Sequence, residues 1–217
     1  MAPIIVIGHL KATNADARDK MIAIFNTIVE YSRSREPGVT KYCITIPQTG
    51  ESGEDTDLLM IEEYADEDVQ NAHISSGPVQ RLLSFFQEAP GPLASPPEVY
   101  QFRPSASFTR SNINEIADPF IIFASSAYNP GKSTAAVPGW ADLVSAVEAT
   151  EAGTLSYNVM DDSEKSFIRI VEVYESKGFF YEKHEKSPTI AANQAEDGEW
   201  RTGERVAILL KMVGGYL

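Results

Sequence analysis

Apolar positions along the chain follow two periods that alternate with each other. Ile4 to Leu10 is a continuous, β-branched run of strand length. From Asn14 to Arg35, Met21, Ile24, Phe25, Ile28 and Tyr31 recur at helical spacing, and Pro37-Gly38 ends that helix. Lys41 to Ile46 alternates as a strand, Pro47 to Asp57 is a polar loop, and Leu58 to Tyr64 is the next strand, so a hairpin with a long connection is predicted. Asp66 to His73 and Val79 to Gln87 form two helical stretches around Ser75-Ser76-Gly77-Pro78. After a proline-rich loop, Val99 to Arg103 completes a β-α-β-β-α-β order.

The same order then returns. Phe120 to Ser125 is a strand, Asn129 to Val137 is expected to be an inserted loop, and Pro138 is expected to open a helix carrying Trp140, Leu143, Val144 and Val147 on one face. Strands follow at Leu155 to Met160 and Ile168 to Tyr174, then a helix from Lys177 to about Asn193 and a last strand from Arg205 to Val213. The echo extends to residues: Gly38 and Tyr42 match Gly153 and Tyr157 at a separation of 115, and Glu62 and Tyr64 match Glu172 and Tyr174 at 110. Two copies of one supersecondary unit are therefore expected, over 1–104 and 119–217, joined by a linker at 105–118. Each would be an α+β, ferredoxin-like unit with both helices on one sheet face. The bare apolar face of such a sheet needs cover, so two fused copies are expected to form a pseudo-twofold dimeric α/β barrel. In that arrangement Leu59, Ile61, Val171 and Val173 would pack under the helices, on the face opposite Glu62 and Glu172.

Composition narrows the partners. Eighteen basic against 31 acidic residues give a net charge of −13, spread over both halves, which argues against nucleic acid or an anionic membrane surface as partner. The first apolar run is broken at Gly8, His9 and Lys11, too short for a signal core or a membrane span. A lone cysteine, Cys43, can form no internal disulfide, so a cytoplasmic location and a buried thiol are expected. No spacing suited to zinc and no strand-anchored GxGxxG occurs, so neither a metal nor a bound cofactor is expected.

The candidate chemistry lies on the repeated elements. His73 sits on a helix before Ser75-Ser76-Gly77-Pro78 and titrates near neutrality, which suits a general base. His184 occupies the same place, but Lys183, Glu185 and Lys186 around it suggest a solvated face; His9 ends the first strand. Glu62 and Glu172 share strand faces with Leu58 and Met60, or Ile168 and Ile170, so each must be hydrogen-bonded, paired with an arginine such as Arg103 or Arg205, or raised in pKa as a base. Tyr64 and Tyr174 could pack or could direct a hydroxyl at a phenolic ligand.

The Glu-x-Tyr strand end, the His nine or ten residues later, and the preceding Pro-Gly-x-x-x-Tyr corner together resemble the antibiotic biosynthesis monooxygenase family of dimeric α/β-barrel proteins, in its tandem two-copy form. Both halves carry the resemblance. It implies a small-molecule substrate, aromatic or polyketide-like, that is deprotonated and then reacts directly with O₂ without a cofactor. On that basis His73, Tyr64 and Glu62 are the catalytic candidates, and His9, His184, Tyr174 and Glu172 are candidates for substrate binding, with the pocket expected in the first copy. A redox-neutral cyclase, isomerase or decarboxylase and a non-catalytic binding or stress-associated barrel remain alternatives, and a homodimer of the fused barrel stays open.

Overall fold

A computed structural model describes residues 3–50 and 54–217, so positions 51–53 of the predicted Pro47 to Asp57 loop lie outside the described residues. The chain divides into two compact units, one of residues 1–103 with 211–217 and one of residues 104–210. Each is an antiparallel sheet with its helices packed on one face, the ferredoxin-like β-α-β-β-α-β order predicted from the repeat.

The first unit contains β1 (Ile4–Lys11), α1 (Ala15–Arg35), β2 (Val39–Pro47), β3 (Asp57–Tyr64), α2 (Glu67–Ile74), α3 (Gly77–Phe86) and β4 (Glu98–Phe102). Its strands run in the order β4-β1-β3-β2. Asn14 caps α1 by accepting from the Ala17 amide, and Asp66 caps α2 in the same way. The unit is completed from the far end of the sequence. Residues 211–217 lie beside β2, where the Tyr216 hydroxyl donates to the Val39 carbonyl (3.0 Å) and Arg33 donates to the Gly215 carbonyl (3.0 Å).

The second unit holds β5 (Ala106–Thr109), β6 (Phe120–Tyr128), α4 (Lys132–Thr150), β7 (Thr154–Asp162), β8 (Phe167–Tyr174), α5 (Lys177–Phe179), α6 (Pro188–Glu196) and most of β9 (Arg201–Tyr216). Within 105–118, the stretch expected to join the copies, β5 pairs with β7 from Ala106 opposite Val159 to Thr109 opposite Ser156. Each unit therefore takes one strand from outside its own repeat, the second from the 105–118 stretch and the first from the end of the second repeat.

Two expectations are corrected here. Residues 132–137 are helical rather than part of an inserted loop, and Pro138 lies inside α4. Ser133 and Ala136 are both buried, Ala136 in the cluster around Trp140, and this burial of the first turns outweighs the one amide donor that Pro138 lacks. The strand faces are also reversed. The cluster under the helices of the first unit contains Tyr42, Ile44, Leu58, Met60 and Tyr64, and that of the second contains Tyr157, Val159, Ile168, Ile170 and Tyr174. Strand side chains alternate, so Leu59, Ile61, Val171 and Val173 face the other way, where they are nonetheless buried. Glu62 and Glu172 consequently belong to the helix-facing side. Cys43 is buried as expected, and burial pushes its thiol up to about 12.

Candidate active site

The helix-facing glutamates are held by tyrosines. In both units a register shift in the second strand, between Val39 and Lys41 or between Thr154 and Ser156, sets a tyrosine directly opposite the glutamate: Tyr42 opposite Glu62 and Tyr157 opposite Glu172. Tyr42 and Tyr64 both donate to Glu62, and Tyr157 and Tyr174 both donate to Glu172, the last at 2.9 Å. Burial, reinforced by the adjacent carboxylate, pushes all four phenols above their ordinary range, so they stay protonated and act as donors. Burial likewise raises Glu62, against the opposing tyrosine hydrogen bonds. The partners of these carboxylates are therefore tyrosines, and the arginine pairing considered for them is replaced by a hydroxyl pair.

The histidines complete the same cluster twice. His73 Nδ1 lies 2.7 Å from Glu36 Oε2, with the ring 5.4 Å from both Tyr42 and Tyr64. His184 Nδ1 lies 2.7 Å from Glu151 Oε2, with the ring 4.9 Å from Tyr174 and 5.8 Å from Tyr157. His184 is 3% exposed and His73 2%, so the solvated face expected for His184 is corrected. Lys183, Glu185 and Lys186 point outward while His184 turns in, because a π-helical stretch, Phe180–His184, absorbs one extra residue. Glu185 N bonds to Phe180 O at 2.9 Å, and this wider turn keeps the histidine facing the sheet although it lies ten residues after Tyr174 while His73 lies nine after Tyr64. The helix can approach closely because the corner residues are glycines: a Cβ on Gly38 would stand 2.6 Å from Val69, and one on Gly153 would stand 2.5 Å from Phe179.

Glu36 and Glu151, the carboxylates beside these two histidines, are residues that the sequence reading passed over. Their signal was available: they too are separated by 115, two residues before Gly38 and Gly153. His9 is not brought to either cluster. It pairs in register with Leu59 on the opposite sheet face, with Nε2 3.3 Å from Asp57 Oδ2 but without hydrogen-bond alignment.

The two clusters differ in access. A cavity of about 260 Å³ lies in the second unit, between sheet and helices, with His184, Glu172, Tyr157, Trp140, Ile170 and Phe180 on its wall; the expectation placed the pocket in the first copy. The paired sequences supply a reason. Ser126, on the cavity wall, corresponds to buried Leu10 (both 116 apart, like Phe120 and Ile4), and Asn193, also on the wall, corresponds to buried Leu82 (111 apart, like His184 and His73). Two leucine side chains that fill the first unit are thus replaced by shorter polar ones.

A hydrogen-bonded chain stiffens the far wall. Trp140 Nε1 donates to the Tyr128 hydroxyl (2.8 Å), which donates to Asp197 Oδ2, while Arg201 donates from Nε to Asp197 Oδ1 (2.7 Å) and from Nη2 to Asn193 Oδ1 (2.9 Å). Arg201 also stacks over Trp140 at 5.3 Å.

Glu151 should leave a pH signature. Burial would raise its carboxyl, but the His184 hydrogen bond and charge, with hydroxyls of Thr154 and Ser187, hold it below the usual range. A carboxyl lowered on folding stabilises the protein above its unfolded pKa, and that stability is lost as pH falls through the folded value. Glu151→Gln should therefore flatten the fall in Tm below about pH 4.3, the ordinary glutamate value. Thermal scans of both proteins from acid to neutral pH check this; parallel curves would contradict it.

Two ferredoxin-like copies in one chain, each with its helices on one sheet face, define a tandem α+β architecture. The chain belongs to the antibiotic biosynthesis monooxygenase family, whose model matches residues 3–83 and again 119–196. Solved structures share the whole architecture. A protein described as a monooxygenase from Lactobacillus acidophilus matches with a TM-score of 0.82 at 14% identity, over 100% of this chain and 96% of its own. One described in the same way from Fusobacterium nucleatum gives 0.81 at 14% over 99% and 94%, and an anthrone oxidase-like protein gives 0.65 at 15% over 99% and 93%. These likenesses establish the fold. No functionally curated protein matches the chain. Among the described residues, no helix is long and apolar enough to cross a membrane, and no group of three or more His, Cys, Asp or Glu side chains is placed to hold a metal ion.

Proposed function

We propose that the cavity of the second unit binds a small aromatic carbon acid of the phenol, enol or anthrone kind and promotes its reaction with O₂, with His184 as the proton acceptor. The observation that carries this reading is the His184–Glu151 pair, with His184 on the wall of a cavity whose lining mixes aromatic and aliphatic side chains with polar and charged ones. Glu151 accepts the Nδ1 proton, which leaves the Nε2 lone pair to take a proton from substrate. Tyr157 and Tyr174 stay protonated and give their hydroxyl protons to Glu172, so they hold that carboxylate in place and are not bases. Trp140, Leu143, Phe180 and Ile190 exclude water from the resulting anion.

For an anthrone the balance is simple. The ring CH₂ loses one proton to His184 and the carbanion adds O₂ to give a peroxide anion, which regains a proton. Loss of water from the hydroperoxide leaves the C=O, so CH₂ and O₂ become C=O and H₂O, with the substrate supplying the electrons. The structural likeness to an anthrone oxidase-like protein makes anthrone the first compound to try. Oxygen-electrode traces with anthrone should show one O₂ consumed per quinone formed, above the uncatalysed rate. Substrate turnover at an undiminished rate under argon, giving an isomer and no quinone, would replace this reaction by a redox-neutral proton transfer at the same histidine.

A further inference from the structure

Charges around the cavity are matched, with one exception. On the wall, His184 is answered by Glu151, Arg201 by Asp197, and Glu172 by the hydroxyls of Tyr157 and Tyr174. Glu185 and Arg205 are both exposed to solvent, as is Glu204 on the neighbouring recess. Arg205, on β9, also lines the cavity, and among the described residues it pairs with no carboxylate. Its guanidinium stands near the Tyr157 hydroxyl, where its charge draws that phenol downward against burial. Arg205 also lines an outer recess of about 320 Å³, which shares Ser126, Gln194 and Arg201 with the inner cavity. The unmatched cation therefore sits at the boundary between recess and cavity.

We infer that the second-unit cavity selects the ionised form of an aromatic ligand, with Arg205 pairing with the ligand oxyanion while the ring lies between Trp140 and Ile170. This rests on the aromatic-acid reading of the same site and adds to it the residue that holds the anion. A cation at the mouth of a cavity attracts an oxyanion and not a neutral hydroxyl, by an amount that solvent screening reduces, so it favours the charged ligand over the neutral one. Arg201, His184 and Glu172 already have partners and Glu185 would repel an anion, so Arg205 is the cation left to meet the ligand oxyanion.

The probe is 2-naphthol, whose ionised and neutral forms differ in absorbance. With the full chain in excess, the bound naphthol should titrate at least about one pH unit below the free compound, a tenfold preference for the ionised form. Arg205→Gln should abolish that shift while still binding the neutral methyl ether, 2-methoxynaphthalene, and Arg205→Lys should retain part of it. An unchanged shift in Arg205→Gln, or a bound pKa at or above the free value in the unmutated protein, would overturn the assignment. Failure of both naphthol and its ether to bind would overturn the cavity reading itself, and with it this inference. Because naphthol binding is read without turnover, loss of O₂ dependence would refute the oxygenation reading and leave this one standing.

Discussion

Replacing His184 by alanine is expected to lower anthrone turnover by about 10² to 10⁴, the range that loss of a positioned general base removes. The same change at His73 is expected to spare the rate to within a few fold and to cost stability instead. His73 is sealed among Ser32, Glu36, Tyr42 and Tyr64, so its removal leaves Glu36 with Ser32 as a remaining partner and empties a packed site, at about 1 to 3 kcal/mol. Quinone formation and denaturant titration on both variants separate the effects, and His184→Gln serves as a second replacement that keeps a polar side chain in place. Equal rate losses at the two histidines would assign a working site to each repeat. Undiminished rates in both would remove histidine from the mechanism.

Deleting residues 211–217 is expected to unfold the first unit. That segment brings buried Leu217 and partly buried Val213 and Tyr216 to the unit, and it covers the edge of β2. Full burial of one large apolar side chain stabilises by roughly 1.5 to 3 kcal/mol, and the hydrogen bonds from Tyr216 to Val39 and from Arg33 to Gly215 add to this. A loss of about 3 kcal/mol or more is expected in urea titration of the shortened chain. Residues 1–105 expressed alone lack the segment too and should be insoluble or should self-associate. Fusing 211–217 back onto that fragment through a short linker should restore a soluble form. A deletion that costs less than about 1 kcal/mol would show the edge strand to be dispensable.

The repeat was legible because both copies keep the residues that backbone geometry demands. Gly38 and Gly153 sit where a helix comes too close for any Cβ, and Glu62-x-Tyr64 and Glu172-x-Tyr174 recur because a strand period of two puts both polar groups on one face. Local spacing was less informative about orientation. Lys183, Glu185 and Lys186 made His184 look solvated, since a regular helical period was assumed where the chain makes a π turn. Pro138 looked like a helix start because proline is favoured there, yet the burial of Ser133 and Ala136 carries α4 six residues further back.

By itself, the sequence determined two ferredoxin-like copies, a Glu-x-Tyr strand end in each and a histidine at the same place in each, because these follow from short-range period and repetition. Only the tertiary structure decided which sheet face meets the helices, which histidine stands at a cavity, and that Glu36 and Glu151 hold the rings. Those outcomes depend on what fills the space between helix and sheet. Leu10 and Leu82 occupy it in one unit, while Ser126 and Asn193 leave it open in the other, residues far apart in the chain whose joint effect appears only when they are packed together.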